Sequence, residues 1–235
     1  LSPSQLRFLV ERHLISPALA DGSGPRGLWV EQGEVLSVMV NEEDHLRVQA
    51  IVSGFEPYTA WKSAAALEKR LGGCLDFASR DPWGYLTACP TNTGTGLRVS
   101  ALMHLPGLVL TQEMDGVGRG VAQMGCTVRG LYGEGTDVAG NLFQVSNQIT
   151  MGRSSEAILE MMDRVVLRLA EFEASARKTL LRDARLQVED KVFRAVALLR
   201  NARMLTSNEF LNLSSAVRLG IGLGARNGRG HWALE

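Results

Sequence analysis

Residue 154 divides the chain into two kinds of sequence, and that change limits the fold more than any single motif. Beyond Ser154 come long stretches rich in Leu, Ala, Glu and Arg, with no turn signal for many residues. Stretches of that kind form helices. Ile158, Met161, Met162, Val165, Val166 and Leu169 mark one apolar stripe at helical spacing, and Val192, Val196 and Leu199, with Phe193 and Leu198, mark a second. Before residue 154 the apolar runs are short and are punctuated by Gly and Pro. Residues 28–32 and 35–40 read as strands joined around Gly33, 45–52 as a third, and 98–104, 127–132 and 142–150 as three more. Helices are predicted over 2–14, over 57–71 with Gly72 and Gly73 ending it, and over much of 108–124. Mixed strands and helices followed by helices alone make the chain α+β.

With 235 residues, 45% hydrophobic and 21% charged, the chain has the composition of a globular protein and not of a disordered or fibrous one. Its 25 basic and 25 acidic residues cancel, so bulk charge argues for neither nucleic acid nor an anionic membrane as partner. No apolar run is long enough to span a bilayer and no signal peptide is visible. Cys74, Cys89 and Cys126 are an odd count without paired spacing, which fits reduced thiols in a cytoplasm. The chain opens on Leu1 directly in an amphipathic pattern, so residues are expected to precede it, and the glycine-rich residues 220–230 read as a linker.

Three segments carry chemistry. Cys89, Pro90, Thr91, Asn92, Thr93, Gly94, Thr95, Gly96, Leu97, Arg98 sets a thiol beside a flexible polar loop that ends on an arginine. It fits neither a Walker loop nor a dinucleotide fingerprint, and on spacing alone reads as an anion-binding loop. In Asn41, Glu42, Glu43, Asp44, His45, Leu46, Arg47, strand pairing that extends back to Glu43 would by its period-two geometry put Glu43, His45 and Arg47 on one face. The same rule aligns Arg98, Ser100 and Leu102, and again Arg129, Leu131 and Gly133, with Glu134 just beyond. Three arginines on three strands would make a cationic face able to grip a polyphosphate. Isolated surface arginines fit the pattern equally well. Arg119, Arg164, Arg168 and Arg185 fall in helical patterns and read as solvated positions.

These segments, together with Gln144–Gly152, resemble the ATP:guanidino phosphotransferases, which include the phosphagen kinases and the bacterial protein-arginine kinases. The resemblance runs from about Glu11 to beyond Arg203. It is closer to the protein-arginine kinase branch: Tyr132, Gly133, Glu134, Gly135 and Ser146, Asn147, Gln148, Ile149, Thr150 resemble its loop and strand. Residues 187–194 and Asn201, Ala202, Arg203 resemble its helical extension. The resemblance implies an antiparallel sheet flanked by helices, with a catalytic domain over 1–176 and a helical extension over 177–235.

It further implies that ATP lies on the arginine face, with Arg47, Arg98 and Arg129 on its phosphates. Val99, Ser100, Ala101 and Leu102 would run beside the nucleotide, Gly130, Leu131, Tyr132, Gly133 and Glu134 would line it, and His13 would contact it. Glu43 and Glu134 match the carboxylates that hold the acceptor guanidinium, and Cys89 the thiol beside it. Mg2+ would ride on phosphates and water, with no protein ligand. The implied activity is transfer of the ATP γ-phosphoryl group to arginine side chains of cytoplasmic proteins in bacterial stress response, marking them for degradation and inactivating a heat-shock repressor. Implied partners are proteins with exposed arginine, an activator protein, the repressor, a Clp-type protease and a second copy in a homodimer, with neither nucleic acid nor membrane. Two departures stand out. No serine-serine-arginine strand motif occurs before Ser2, and Arg182, Asp183, Ala184, Arg185 lacks the spacing of a phosphoarginine pocket. A kinase for free arginine or another small guanidino compound and a non-catalytic interaction module are the alternatives.

Overall fold

The computed structural model describes residues 1–130 and 139–224. Leu131, Tyr132, Gly133 and Glu134, and the glycine-rich stretch after Gly224, lie outside the described residues. Two compact units form, one from Leu1–Val99 with Ile149–Glu160, the other from Ser100–Gln148 and the chain from Met161 onward.

In the first unit, α1 (Pro3–Glu11) starts at a capping box in which the Ser2 hydroxyl accepts the Gln5 N–H and Gln5 Oε1 accepts the Ser2 N–H. It ends in a left-handed residue, His13 at φ 58°, whose N–H donates to the Val10 carbonyl while Leu14 N–H reaches Leu9. A further helix, α2 (Pro17–Asp21), is capped by Ser16; five residues are too few to leave a periodic stripe in the sequence. β1 (Gly27–Val30), β2 (Leu36–Val40) and β3 (Leu46–Ala50) form an antiparallel sheet in that order. Its register sets Leu28, Met39 and Arg47 in one row and Val30, Ser37 and Gln49 in the next, on the same face. Ile15, Leu19 and Met39 are buried there together, packed by Leu6, Leu9, Val10 and Leu28. α3 (Pro57–Gly72) follows, then the short pair β4 (Ser79–Arg80) and β5 (Gly84–Tyr85), and a 3-10 turn over Pro90–Asn92.

In the second unit, β6 (Ser100–His104) leads into α4 (Pro106–Leu110) and α5 (Met114–Gln123). Antiparallel β7 (Cys126–Gly130) and β8 (Leu142–Asn147) complete a sheet ordered β6-β8-β7. The strand predicted from Arg98 begins only at Ser100, because the ladder opens with Ser100 opposite Ser146. The single helix expected over 108–124 is broken: Gln112 adopts φ 61°, and Glu113 N–H folds back onto the Leu108 carbonyl. Glu173 secures the short α4, its carboxylate accepting the N–H groups of Gly107 (2.9 Å) and Leu108 (3.0 Å) and the Arg177 Nε–H (2.6 Å).

The rest is helical, as the change at residue 154 requires: α6 (Ser155–Asp183), whose residues belong to both units, then α7 (Arg185–Asn201) and α8 (Ser207–Gly222). All six residues of the first stripe are buried. The second differs from expectation. Phe193 and Leu198 are exposed, and the buried residues of α7 are Val188, Val192 and Ala195, the first two in one cluster with Leu180 and Leu219. α7 carries apolar residues around much of its circumference, so spacing alone does not choose the inner side.

Candidate active site

The first unit holds the acidic turn and the cysteine loop. Asn41 begins the turn at φ 55°, a conformation asparagine tolerates, with its Nδ2 donating to the Pro25 carbonyl. Of the three consecutive carboxylates, each goes its own way. Glu42 turns inward, its side chain 5% exposed, and accepts the Glu43 N–H (3.0 Å) and an Arg47 guanidinium N–H (3.1 Å). Burial pushes the Glu42 carboxyl up, but hydrogen bonds from Ser16 and the Glu43 N–H, together with the Arg47 charge, outweigh that and hold it below its ordinary value. Glu43 is exposed, and its carboxylate takes no hydrogen bond among the described residues. Asp44 turns inward again, accepting the Cys89 N–H (3.1 Å) and Asn92 Nδ2–H (2.8 Å). Asp44 therefore ties the turn that presents Glu43 to the loop that presents Cys89.

Around Cys89 the loop is closed on itself. Its Sγ lies 3.0 Å from the Thr91 hydroxyl, and its carbonyl accepts the Thr87 hydroxyl at 2.6 Å. Three backbone N–H groups of the loop read as anion-binding are committed elsewhere: Gly94 and Tyr85 exchange paired bonds, Thr95 donates to the Thr150 carbonyl, and Leu97 to the Thr95 hydroxyl. The anion-cradle reading of these glycines is thus corrected. A Cβ on Gly94, at φ 113°, would stand 2.5 Å from the Thr150 carbonyl oxygen, so glycine is needed for close passage of two chains. Thr150 completes the closure, its hydroxyl lying 3.0 Å from the Thr91 carbonyl and 2.8 Å from that of Thr93. Tyr85 anchors the far side through a 2.5 Å bond to Glu68, which with burial and the Glu68 charge pushes the phenol up to about 12.

His13 and Arg47 are brought together through Gln49, whose amide donates to the His13 carbonyl (2.5 Å) and whose oxygen accepts from Arg47 (3.4 Å). Glu43, His45 and Arg47 are each exposed, but the ladder ends at Leu46 opposite Val40, so Glu43 and His45 lie in the turn and the single strand face expected for the three is corrected: only Arg47 belongs to β3. Arg98 is exposed just ahead of β6, and Val99 is buried.

In the second unit the register places Leu102, Gln144 and Arg129 in one row across three strands, with Ser100, Ser146 and Thr127 in the next. Ala101, Met103, Val145, Phe143, Val128 and Gly130 lie on the opposite side, where Met103, Phe143 and Val128 join the core. Ala101 therefore offers the polar face only its backbone. An open cleft of about 470 Å³ adjoins this sheet, lined by Met114, Asp115, Gly118 and Arg119 of α5 and by Val128, Arg129, Gly130 and Phe143 of the strands. Arg119 is solvated, as expected, yet stands in the same cleft as Arg129.

Motif spacing pointed to the candidate groups but not to the roles of those that hold them, Glu42, Asp44, Gln49 and Thr150, nor to Gln144 between Leu102 and Arg129. Gln144 had a signal in the alternation of residues 142–147; the inward turn of Asp44 had none, because it depends on a partner 45 residues away.

Residues 1–176 match the family model of the ATP:guanido phosphotransferase C-terminal catalytic domain, and residues 185–229 that of the protein-arginine kinase McsB C-terminal domain. Among curated relatives, the protein-arginine kinase of Moorella thermoacetica is 51% identical over 220 residues, covering 94% of this chain and 63% of that protein. That of Halalkalibacterium halodurans is 46% identical over 228 residues, covering 97% and 64%. The chain thus spans under two thirds of the length of these relatives. In fold it is similar to the duplicated taurocyamine kinase of Schistosoma mansoni with bound transition-state-analogue components (TM-score 0.64, 21% identity, 97% of this chain and 40% of that one). A lombricine kinase is also similar (TM-score 0.59, 25% identity, 74% and 52%). With the Glu43 turn, the Cys89 loop and the Arg129 row in place, the chain belongs to the ATP:guanido phosphotransferase family and contains its C-terminal catalytic domain.

Proposed function

We propose that the protein to which this chain belongs transfers the γ-phosphoryl group of ATP to the guanidinium of arginine side chains in proteins. The observation that carries the reading is the Asp44 tether, which holds an outward carboxylate and a thiol on adjoining loops where a planar cation can be clamped. Relatives named protein-arginine kinase support the choice of protein arginine over a free guanidino compound.

An arginine guanidinium, with a pKa above roughly 12, is protonated and non-nucleophilic at neutral pH. Glu43 and Glu134 hold it through paired hydrogen bonds and aim one nitrogen at the γ-phosphorus. As the N–P bond forms, the bond from phosphorus to the bridging oxygen breaks, ADP leaves with that electron pair, and the nitrogen loses a proton towards a carboxylate late in the step. Cys89 borders the same guanidinium. Arg47, Arg98 and Arg129 take the phosphates, offsetting charge on the transferred group, with His13 and the segment 98–102 along the nucleotide. Residues 1–176 act as the catalytic domain and 177–235 as its helical extension. Mg2+ carried in on the phosphates would add charge neutralisation there.

The same resemblance supports a cytoplasmic role in stress response: modified proteins are marked for a Clp-type protease, a heat-shock repressor is inactivated, an activator protein participates, and the enzyme pairs with its own copy. The test is incubation of the full-length protein with labelled ATP, an arginine-containing protein and free arginine. Acid-labile, base-stable label on the protein is expected. Glu43→Ala and Glu134→Ala abolish it while calorimetry still detects ATP binding; label on free arginine alone, or loss of ATP binding in both variants, refutes the assignment.

A further inference from the structure

β8 is entered through a tight turn that belongs to no helix or strand, and the helical extension holds it. Leu142 N–H donates to the Ala139 carbonyl (3.3 Å), and both central residues are left-handed, Gly140 at φ 64° and Asn141 at φ 52°. That is a type I′ geometry, which non-glycine residues adopt at a cost. Two side chains of α8 grip it. Asn212 Oδ1 accepts the Gly140 N–H (2.9 Å), and the Ser215 hydroxyl accepts Asn141 Nδ2–H (2.7 Å). Ser215, itself buried, also lies 2.8 Å from His104 Nε2, at the end of β6, so one hydroxyl joins the turn to the neighbouring strand. On the far side of the turn the Asn141 carbonyl accepts the Leu105 N–H (2.9 Å). The helix also approaches the turn closely: a Cβ on Gly140 would stand 2.9 Å from the Leu211 carbonyl oxygen.

Only Leu142 and Phe143 separate this turn from Gln144, the central member of the row Leu102, Gln144, Arg129. In a strand, a slip of one residue sends every side chain to the opposite face, so whatever fixes the turn fixes which face Gln144 occupies. α8 lies beyond residues 1–176, so the supporting groups come from the part of the chain outside the catalytic-domain match.

We propose that Asn212 and Ser215 are positioning residues for the nucleotide site: by holding the Gly140–Asn141 turn they set the start of β8 and seat Gln144 between Leu102 and Arg129. This rests on the reading above that the Leu102, Gln144, Arg129 face receives ATP. The helical extension is thereby a structural part of nucleotide binding.

The test uses the full-length protein with Asn212→Ala, Asn212→Asp, Ser215→Ala and the Asn212→Ala/Ser215→Ala pair. Calorimetry with a non-hydrolysable ATP analogue and KM for ATP are read well below the melting temperature, beside the thermal midpoint. Asn212→Ala should weaken the analogue about 5–10-fold, the loss expected for one hydrogen bond that orders a binding-competent state, and the pair by more. Asn212→Asp keeps an acceptor for the Gly140 N–H and should bind within about twofold of the parent. Unchanged analogue affinity and KM in the pair, even with a lowered midpoint, overturn the proposal, as does failure of Asn212→Asp to restore binding. A parent that binds the analogue, is weakened by these substitutions and yet labels no protein arginine upholds the proposal and refutes only the acceptor assignment. A parent that binds no nucleotide overturns both.

Discussion

Asp44 is the group whose removal should separate placement from chemistry. It touches neither proposed reactant, yet its two oxygens hold the Cys89 N–H and the Asn92 amide from a half-buried position. A hydrogen bond to a charged acceptor contributes roughly 1.5–3 kcal/mol, and partial solvent access lowers that to about 1–2 kcal/mol per bond here. Asp44→Ala loses both bonds, about 2–4 kcal/mol of loop-to-loop tether. Asp44→Asn keeps one acceptor but sets an NH2 against the Asn92 NH2, about 1–2 kcal/mol. At about 1.36 kcal/mol per tenfold, even the low end for alanine corresponds to a kcat roughly 30-fold down, and asparagine should fall roughly 5- to 30-fold. Two assays read this: turnover with labelled ATP and protein substrate, and the rate at which iodoacetamide alkylates the half-buried Cys89 in a Cys74→Ser background, since Cys74 is exposed. A loosened loop should alkylate faster. If Asp44→Ala folds with a parental melting temperature, turns over at the parental rate and alkylates no faster, the tether has no part in the site.

Three other outcomes follow from buried groups. Glu173→Ala leaves the N–H groups of Gly107 and Leu108 without their acceptor and Arg177 without its partner, and should cost about 2–4 kcal/mol in urea unfolding; a loss below about 0.5 kcal/mol would contradict its role. The Ser37 hydroxyl is buried with no hydrogen-bond partner among the described residues, so Ser37→Ala should be neutral or stabilising by up to about 1 kcal/mol, and a loss above that would contradict the reading. Burial, then the Arg218 and Arg177 charges, pushes His104 down to about 4 from an unfolded value near 6.5, so between those limits the unfolded chain binds the extra proton. Stability is therefore full above about pH 6.5 and falls as pH drops towards 4, by about 1 kcal/mol once solvent screening is allowed for; urea midpoints measured from pH 8 to 4.5 should show the slope, and His104→Gln should flatten it.

Residue chemistry was more legible in the sequence than residue placement. The stripe from Ile158 to Leu169 lay inside, because a helix with one apolar side has one way to bury it. α7 offered two sides, and the choice fell to Val188, Val192 and Ala195 through packing that no local pattern records. The break at Gln112 was hidden for a related reason: a left-handed glutamine carries no marker of the kind a glycine gives. Gly94 did carry the marker, but a glycine announces only that space or angle is restricted. Here the restriction came from Thr150, far along the chain, rather than from a ligand. In the acidic run, three carboxylates pointed to a charged site, while the division of labour among them arose from Arg47 on one side and Cys89 on the other.

That division makes Glu43 detachable from the architecture. Glu42 and Asp44 knit the loops, whereas the carboxylate between them leans on nothing else among the described residues. A charge-neutral, same-sized replacement such as Glu43→Gln should consequently keep its shape and melt like the parent. Under the proposed function such a variant is a reagent, a silent bait on which protein substrates could dwell without being modified, and crosslinking to it would capture the proteins the active form modifies.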